Sequence, residues 1–193
     1  MLTINGLKNK MIVLMDGAPY QMLEVKHLHM GRGGSSVQTR IRNLLTGRVF
    51  SRNFKPSDAF SEADVEKREL IFLYAHRNEY IFHAAGKPAE RFTFAEGGLG
   101  DAAKWLKPQT PVTALFLDGK PVTIRVPIKM DFKITAAPPG IKGDTATGGT
   151  KTVTIETGAK IQTPLFENEG DVIRVNTETG EYAERVSKGS SER

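Results

Sequence analysis

Short runs rich in Val, Ile, Phe and Tyr follow one another along this chain, separated by turn residues, and helical periodicity is almost absent. That pattern predicts a β-protein built of hairpins. Residues 11–15 and 20–25 are apolar runs flanking Asp16-Gly17-Ala18-Pro19. Asp-Gly between such runs is the strongest short-range hairpin signal, because a type I′ turn needs positive φ at both central positions. The layout recurs around Asp118-Gly119-Lys120-Pro121, between apolar runs at 115–117 and 122–126. This repetition predicts separate small barrels, each made of a few hairpins, in place of one continuous sandwich.

Polar residues from Lys55-Pro56 to Asp64 mark a first junction, at residue 63. Pro127 marks a second, because proline cannot donate to a continuing strand ladder. The predicted domains are 1–63, 64–126 and 127–186, with 187–193 as a flexible charged tail. Residues 101–106 are the one helical candidate, with Asp101 as N-cap and Pro108 as stop, a short helix covering a barrel end. Barrels of about 60 residues bury small cores. They serve as platforms that hold binding loops in place, and oligonucleotide-binding barrels and SH3-like barrels fit the length and pattern.

Composition removes several classes of function. The chain has 193 residues and no cysteine, which excludes disulfides, thiolate catalysis and thiolate metal sites. Its apolar runs are far shorter than the ~18 residues a membrane helix needs, and its opening residues predict no export leader. A cytoplasmic, membrane-free protein is expected. The net charge of +5 is unevenly spread. Residues 1–63 hold nine Lys/Arg against four Asp/Glu, whereas 64–126 hold nine against eight and 127–193 nine against ten. Clustered positive charge attracts a partner bearing phosphates, since each neutralised phosphate releases counterions.

Candidate chemistry is sparse. His27 and His29 fall on one face of a strand, but no acidic cluster accompanies them, so no metal site is predicted. The glycine-rich stretch 140–151 superficially resembles a phosphate-binding loop. It lacks the Lys directly after the last Gly and the helix that should follow, since Thr150 precedes Lys151 and 153–156 reads as strand. No catalytic triad is present either, and the chain reads as a binding protein without cofactor or metal.

The sharper feature is Lys26-His-Leu-His-Met-Gly-Arg-Gly-Gly-Ser-Ser36. It separates a strand ending near His29 from one beginning at Val37. There Val37, Thr39 and Ile41 alternate with Gln38, Arg40 and Arg42, which puts both arginines on one face. Seven Lys/Arg and one acidic residue, Glu24, lie between residues 21 and 55. The hairpin would carry Arg32, flanked by Gly31, Gly33 and Gly34, at its tip, with Lys26, Arg40 and Arg42 on basic strands. The alternative is an ordinary mobile hairpin with a solvated arginine; the one-sided charge of the flanking strands favours RNA.

At this hairpin the chain resembles elongation factor P. Asp16-Gly-Ala-Pro-Tyr20, Glu24-Val-Lys-His27, Gly31-Arg-Gly-Gly34, Thr39-Arg-Ile-Arg-Asn-Leu44 and Thr46-Gly47 follow that family's first domain in order and spacing. Pro139 to Lys151, Glu156-Thr-Gly158, Val172 to Thr177 and Thr179-Gly-Glu-Tyr182 resemble its last domain, so the similarity runs to about Arg185. The resemblance implies three β-barrels, an SH3-like (KOW) domain followed by two oligonucleotide-fold domains, in an L of roughly tRNA shape. It implies a monomer that is not an enzyme. Such a protein binds both ribosomal subunits between the peptidyl and exit sites and positions the acceptor end of the peptidyl-tRNA. It stimulates peptide-bond formation and relieves stalling at consecutive prolines.

By position, the resemblance makes Arg32 the acceptor-end contact. Family members carry a modified lysine or a rhamnosylated arginine there, so Arg32 is also the candidate modification site and an arginine glycosyltransferase the candidate partner. Met30 and Gly33 depart from the arginine-bearing pattern, which has proline before the tip glycine and asparagine after the arginine. Gly143, Asp144 and Thr145 match the last-domain loop near the exit-site codon, and Tyr182 and Arg185 match residues facing RNA. An elongation factor P-like paralogue and a general single-stranded RNA-binding protein are the alternatives; the Gly143-Asp-Thr and Gly148-Gly-Thr-Lys151 stretches argue against the paralogue.

Overall fold

The computed structural model describes residues 3–29, 35–58, 60–139 and 149–189. Its strands form three five-stranded sheets. None of its helices is long and apolar enough to cross a membrane.

The first sheet contains β1 (Ile12–Met15), β2 (Ala18–His29), β3 (Ser35–Asn43), β4 (Val49–Phe54) and β5 (Ser61–Glu62). Its spatial order is β4-β3-β2-β1-β5, a meander that β5 completes by pairing back onto β1. Asp16 and Gly17 sit at φ 51° and 75° with Met15 opposite Ala18, the mirror-image turn that Asp-Gly predicts. Alternate positions fill the core: Val13, Met22, Val37, Ile41 and Phe54. Phe60 closes it edge-on against Phe54, ring centroids 4.6 Å apart.

The second sheet contains β6 (Glu66–His76), β7 (Glu79–Ala84), β8 (Lys87–Ala95), β9 (Pro111–Leu117) and β10 (Lys120–Arg125), in the order β10-β9-β6-β7-β8. Asp118 and Gly119 make the second mirror-image turn, with φ 49° and 73°. Phe72, Phe82 and Phe94 pack as a row of tilted and edge-on rings in its core. The first two sheets belong to one compact unit. Ile12, Leu44, Ala63, Leu115 and Val122 form a shared apolar cluster between them. The backbones approach closely beside it, since a Cβ on Gly47 would lie 2.6 Å from the Cα of Gly97.

The third sheet contains β11 (Lys129–Ala136), β12 (Thr150–Ile155), β13 (Lys160–Pro164), β14 (Val172–Asn176) and β15 (Glu181–Ser187), in the order β13-β12-β11-β14-β15. It forms a second compact unit together with residues 101–112. Its core is Phe132, Ile134, Val153, Ile155, Ile161, Ile173 and Val175, with Trp105 packed among them.

Two expectations need correction. The helical segment starts earlier than predicted: α1 spans Glu96–Leu99, with Ala95 and not Asp101 at its N-cap, and passes into a 3₁₀ turn at Gly100–Trp105. Gly100, at φ 55°, ends the α-helical turn, and burial of Trp105 draws the remainder into the third-sheet core. The terminal segment is also tied down further than expected. β15 runs to Ser187, and the Gly189 N–H donates to Asp171 Oδ1 at 2.7 Å.

Candidate nucleic-acid interface

The two long strands of the first sheet, β2 and β3, lead to residues 30–34. Arg32, Gly31, Gly33 and Gly34 lie outside the described residues. Twelve strand residues at ~3.3 Å each give β2 a length of roughly 40 Å.

A β-bulge decides which side chains share its outward face. The pairing of β2 with β3 shifts register between Met22 and Glu24, leaving one extra residue, Leu23, on β2. Met22 therefore stays in the core while Glu24 and Lys26 turn outward; without the bulge all three would share one face. The outward face then carries two cross-strand rows. Glu24 faces Arg40, which faces Ser51; Lys26 faces Gln38, which faces Asn53. These six side chains, with Thr39 beneath them, line a shallow polar concavity of about 350 Å³.

Its charges are arranged unequally. Lys26 Nζ pairs with Glu24 at 2.7 Å, and that hydrogen bond, the lysine's charge and the nearby Arg40 hold the Glu24 carboxyl below the usual range. Arg40 is exposed and makes no ion pair of its own among the described residues. Arg42 is half-buried, and its guanidinium lies against Gly100 of the same unit. The two arginines share a strand face as predicted from alternation, but only Arg40 is presented beside Lys26.

Sequence reasoning missed Ser51 and Asn53, whose signal was the period-two alternation of the next strand once the β3–β4 register is known. It also missed the apolar side of β4. This edge strand exposes Val49 and Phe50, 40% and 41% accessible, between Arg48 and Arg52. Tyr20 packs edge-on to Phe50 at 6.0 Å. An aromatic ring between cations on an edge strand suits the stacking and phosphate contacts of single-stranded RNA.

In the third-sheet unit, Gly143, Asp144 and Thr145 lie outside the described residues. Lys151, which follows that stretch, is buried and donates from Nζ to the Pro138 carbonyl at 3.1 Å. Tyr182 and Arg185 have partners inside the unit. The Tyr182 hydroxyl donates to Glu167 Oε1 at 2.9 Å; burial and the Glu167 carboxyl push the phenol up to about 12. Arg185 lies 3.8 Å from the buried Asp171 and stacks over the Phe166 ring at 4.9 Å. Phe166, 55% accessible, is the exposed aromatic there, and the sequence reading passed over it.

Histidines supply no metal centre among the described residues, where no three His, Asp or Glu side chains gather. His83 Nδ1 is within 2.9 Å of the Ala84 carbonyl, and the His29 side chain is outside the described set.

Comparison with known proteins identifies the family. Residues 3–60 match the family described as elongation factor P (EF-P) KOW-like domain, and residues 130–185 match elongation factor P, C-terminal. The chain is 38% identical to elongation factor P of Natranaerobius thermophilus over 186 residues, covering 96% of this chain and 98% of that one. It is also 38% identical to elongation factor P of Moorella thermoacetica, covering 96% and 100%. Among solved structures, a protein described as eukaryotic translation initiation factor 5A from Methanococcus jannaschii aligns at a TM-score of 0.40 and 16% identity, over 65% of this chain and 92% of that one. With relatives of that identity along nearly its whole length, the chain belongs to the elongation factor P family, translation factors and not enzymes.

Proposed function

We propose that this chain acts in the cytoplasm by binding the ribosome between the peptidyl and exit sites, where it orders the acceptor end of the peptidyl-tRNA. Peptide-bond formation is thereby stimulated, above all at consecutive prolines. Arg32 is the acceptor-end contact; Lys26 and Arg40 hold the flanking RNA, and Gly143, Asp144 and Thr145 keep the far end in register near the exit-site codon. The observation that carries this reading is the outward face of β2, β3 and β4. Two cations sit there among Gln38, Ser51 and Asn53, on the strand pair that leads to residue 32.

Such an arrangement accelerates a reaction without a catalytic group. Holding the acceptor end in a reactive pose removes part of the orientational entropy from the barrier. Proline substrates gain most, because the ring fixes φ and leaves little freedom to correct a poor approach. Amide and hydroxyl groups beside the cations supply hydrogen bonds to phosphate and ribose oxygens, which position the factor without reading sequence.

The test is peptide formation on ribosomes stalled at consecutive prolines, with co-sedimentation measured in parallel. Wild-type protein should bind and restore the rate. Lys26→Glu with Arg40→Glu should lose binding while the fold persists. Rescue by that double variant at wild-type concentration would remove this face from the mechanism.

A further inference from the structure

The third-sheet unit holds a second concave site, distinct from the basic face of the first sheet. The turn joining β12 to β13 and the turn joining β14 to β15 meet the 3₁₀ turn Gly100–Trp105 around a cavity of about 590 Å³. Lys104, Trp105, Thr157, Lys160, Thr179 and Gly180 are among the residues lining it. The two charged residues in the lining are both lysines, and no carboxylate contributes. Lys104 Nζ stands over the Trp105 ring at 4.9 Å, which keeps that ammonium at the site.

Two lining residues carry polar atoms that the protein leaves unpaired. Trp105 is 2% accessible and its indole Nε1 makes no hydrogen bond; Thr157 Oγ1 is likewise buried and unpaired. Burying a donor without an acceptor is costly, and native structures keep few such groups. Three side-chain atoms of this kind occur among the described residues, and two of them belong to this one cavity. An indole N–H, a hydroxyl and two ammonium groups are all donors. They share one complement, an anion with several acceptor oxygens. Thr157 is half-buried on a turn, so a χ1 step is enough to redirect its hydroxyl.

We propose that this cavity binds a phosphate of an RNA strand, with Lys104 and Lys160 supplying charge and Thr157 and Trp105 supplying directed hydrogen bonds. The volume is several times that of a phosphate ion and lies in the range of nucleotide-sized sites. RNA as the source of the phosphate rests on the chain's role as a translation factor; the preference for phosphate does not.

Trp105 is the only tryptophan in the chain, so emission excited selectively at tryptophan reports the surroundings of Trp105 alone. Full-length protein is titrated at constant ionic strength with inorganic phosphate, with hexauridylate and with uridine. Phosphate and hexauridylate should each change the emission saturably, hexauridylate at the lower concentration, and uridine should not. Lys160→Gln and Thr157→Val should each raise the half-saturation concentration about fivefold, as removal of one charge-assisted hydrogen bond does. Lys160→Arg should retain binding, and the exposed Lys160 variants keep the test valid if Thr157→Val fails to fold. A response to phosphate alone would overturn RNA as the ligand. Absence of any saturable change, or an unaltered response in Lys160→Gln, would overturn the site. Hexauridylate that binds without changing Trp105 emission would do the same, while leaving the first-sheet reading in place.

Discussion

The Arg42 guanidinium occupies the space that a side chain on Gly100 would need, whereas Arg40, two residues earlier on the same strand face, is exposed. Gly100 sits at φ 55°, so glycine is favoured there by backbone conformation as well as by space. Two arginines that alternation makes equivalent are thereby assigned different work: Arg40 to the surface, Arg42 to holding the first two sheets as one unit.

Substitution at the two positions should separate these roles. Arg40→Glu should weaken ribosome binding and lower its salt slope by about one for each phosphate it no longer neutralises, with the urea midpoint unchanged. Arg42→Ala should instead reduce stability by about 1–2 kcal/mol, because its stem and guanidinium no longer pack. Co-sedimentation at several salt concentrations and urea unfolding read the two effects. Equal stability losses at both positions would contradict the assignment.

Gly47 and Gly119 offer a cleaner test of close backbone approach, because both sit at φ 73°. A Cβ on Gly119 meets nothing within 4 Å, whereas one on Gly47 meets the Gly97 Cα at 2.6 Å. Gly119→Ala should cost about 1 kcal/mol, the penalty for an L-residue in the left-handed region. Gly47→Ala should cost about 3 kcal/mol or more, because it also forces the two sheets apart at that point. Similar unfolding midpoints for the two variants would show that the Gly47–Gly97 approach relaxes without cost.

Much of this architecture was legible in the sequence, for local physical reasons. Asp16-Gly17 and Asp118-Gly119 announce mirror-image turns because few other dipeptides tolerate two positive φ values. The equivalent turn at Arg77-Asn78, with φ 48° and 65°, carries no such signature and went unread. Alternation on β3 placed Arg40 correctly, since a strand face needs only a period of two. The placement of Lys26 beside it depends on the bulge at Leu23, a register event that no local pattern encodes. Trp105 was read as part of a helix over a barrel end, yet it fills the core of the third sheet. Its partners, Phe132 among them, are distant in sequence, and nothing nearby specifies them. Tyr182 was placed by resemblance alone, and its hydrogen bond to Glu167 required the packed structure.

Glu167, the acceptor of that hydrogen bond, gives the third-sheet unit a pH dependence of defined sign. Burial pushes the Glu167 carboxyl above its ordinary value of 4.5, with Asp171's charge adding to it; the Tyr182 hydrogen bond and Arg185 oppose the shift without cancelling it. A raised carboxyl contributes stability that is complete below 4.5 and is lost as pH rises through the raised value. Burial also acts upward on Asp171, but the Asn168 and Gly189 backbone N–H groups outweigh it, so its contribution is lost only as pH falls below 3.8. Glu167→Gln keeps an acceptor for Tyr182 and cannot ionise. Its unfolding midpoint at pH 7 should equal or exceed the wild-type value, and the decline above pH 4.5 should disappear. A variant that is less stable at pH 7 and loses part of the decline below pH 4.5 would show instead that Glu167 works as a carboxylate paired with Arg185.

Arg32→Ala should barely change stability or ribosome affinity, yet remove most of the rescue at consecutive prolines. One cation flanked by glycines in sequence contributes little to folding. Affinity in this reading is spread over Lys26, Arg40 and the edge strand β4, so one fewer phosphate partner weakens binding only modestly. The rate behaves differently, because ordering the acceptor end acts on the reaction barrier, where each ~1.4 kcal/mol is tenfold. Arg32→Lys should recover part of the rate, since lysine keeps the charge but lacks the planar five-donor fork that brackets a phosphate or stacks on a base. Dipeptide and tripeptide formation on proline-stalled ribosomes, at factor concentrations that saturate binding, reads the barrier alone. An alanine variant as fast as wild type at saturation would reduce the hairpin to a source of bulk and charge. The intact mass of protein from its native host adds a second readout: one deoxyhexose above the sequence mass would place a sugar on Arg32. The Arg32→Lys variant should then fall to the alanine level, since lysine offers no guanidinium for that attachment.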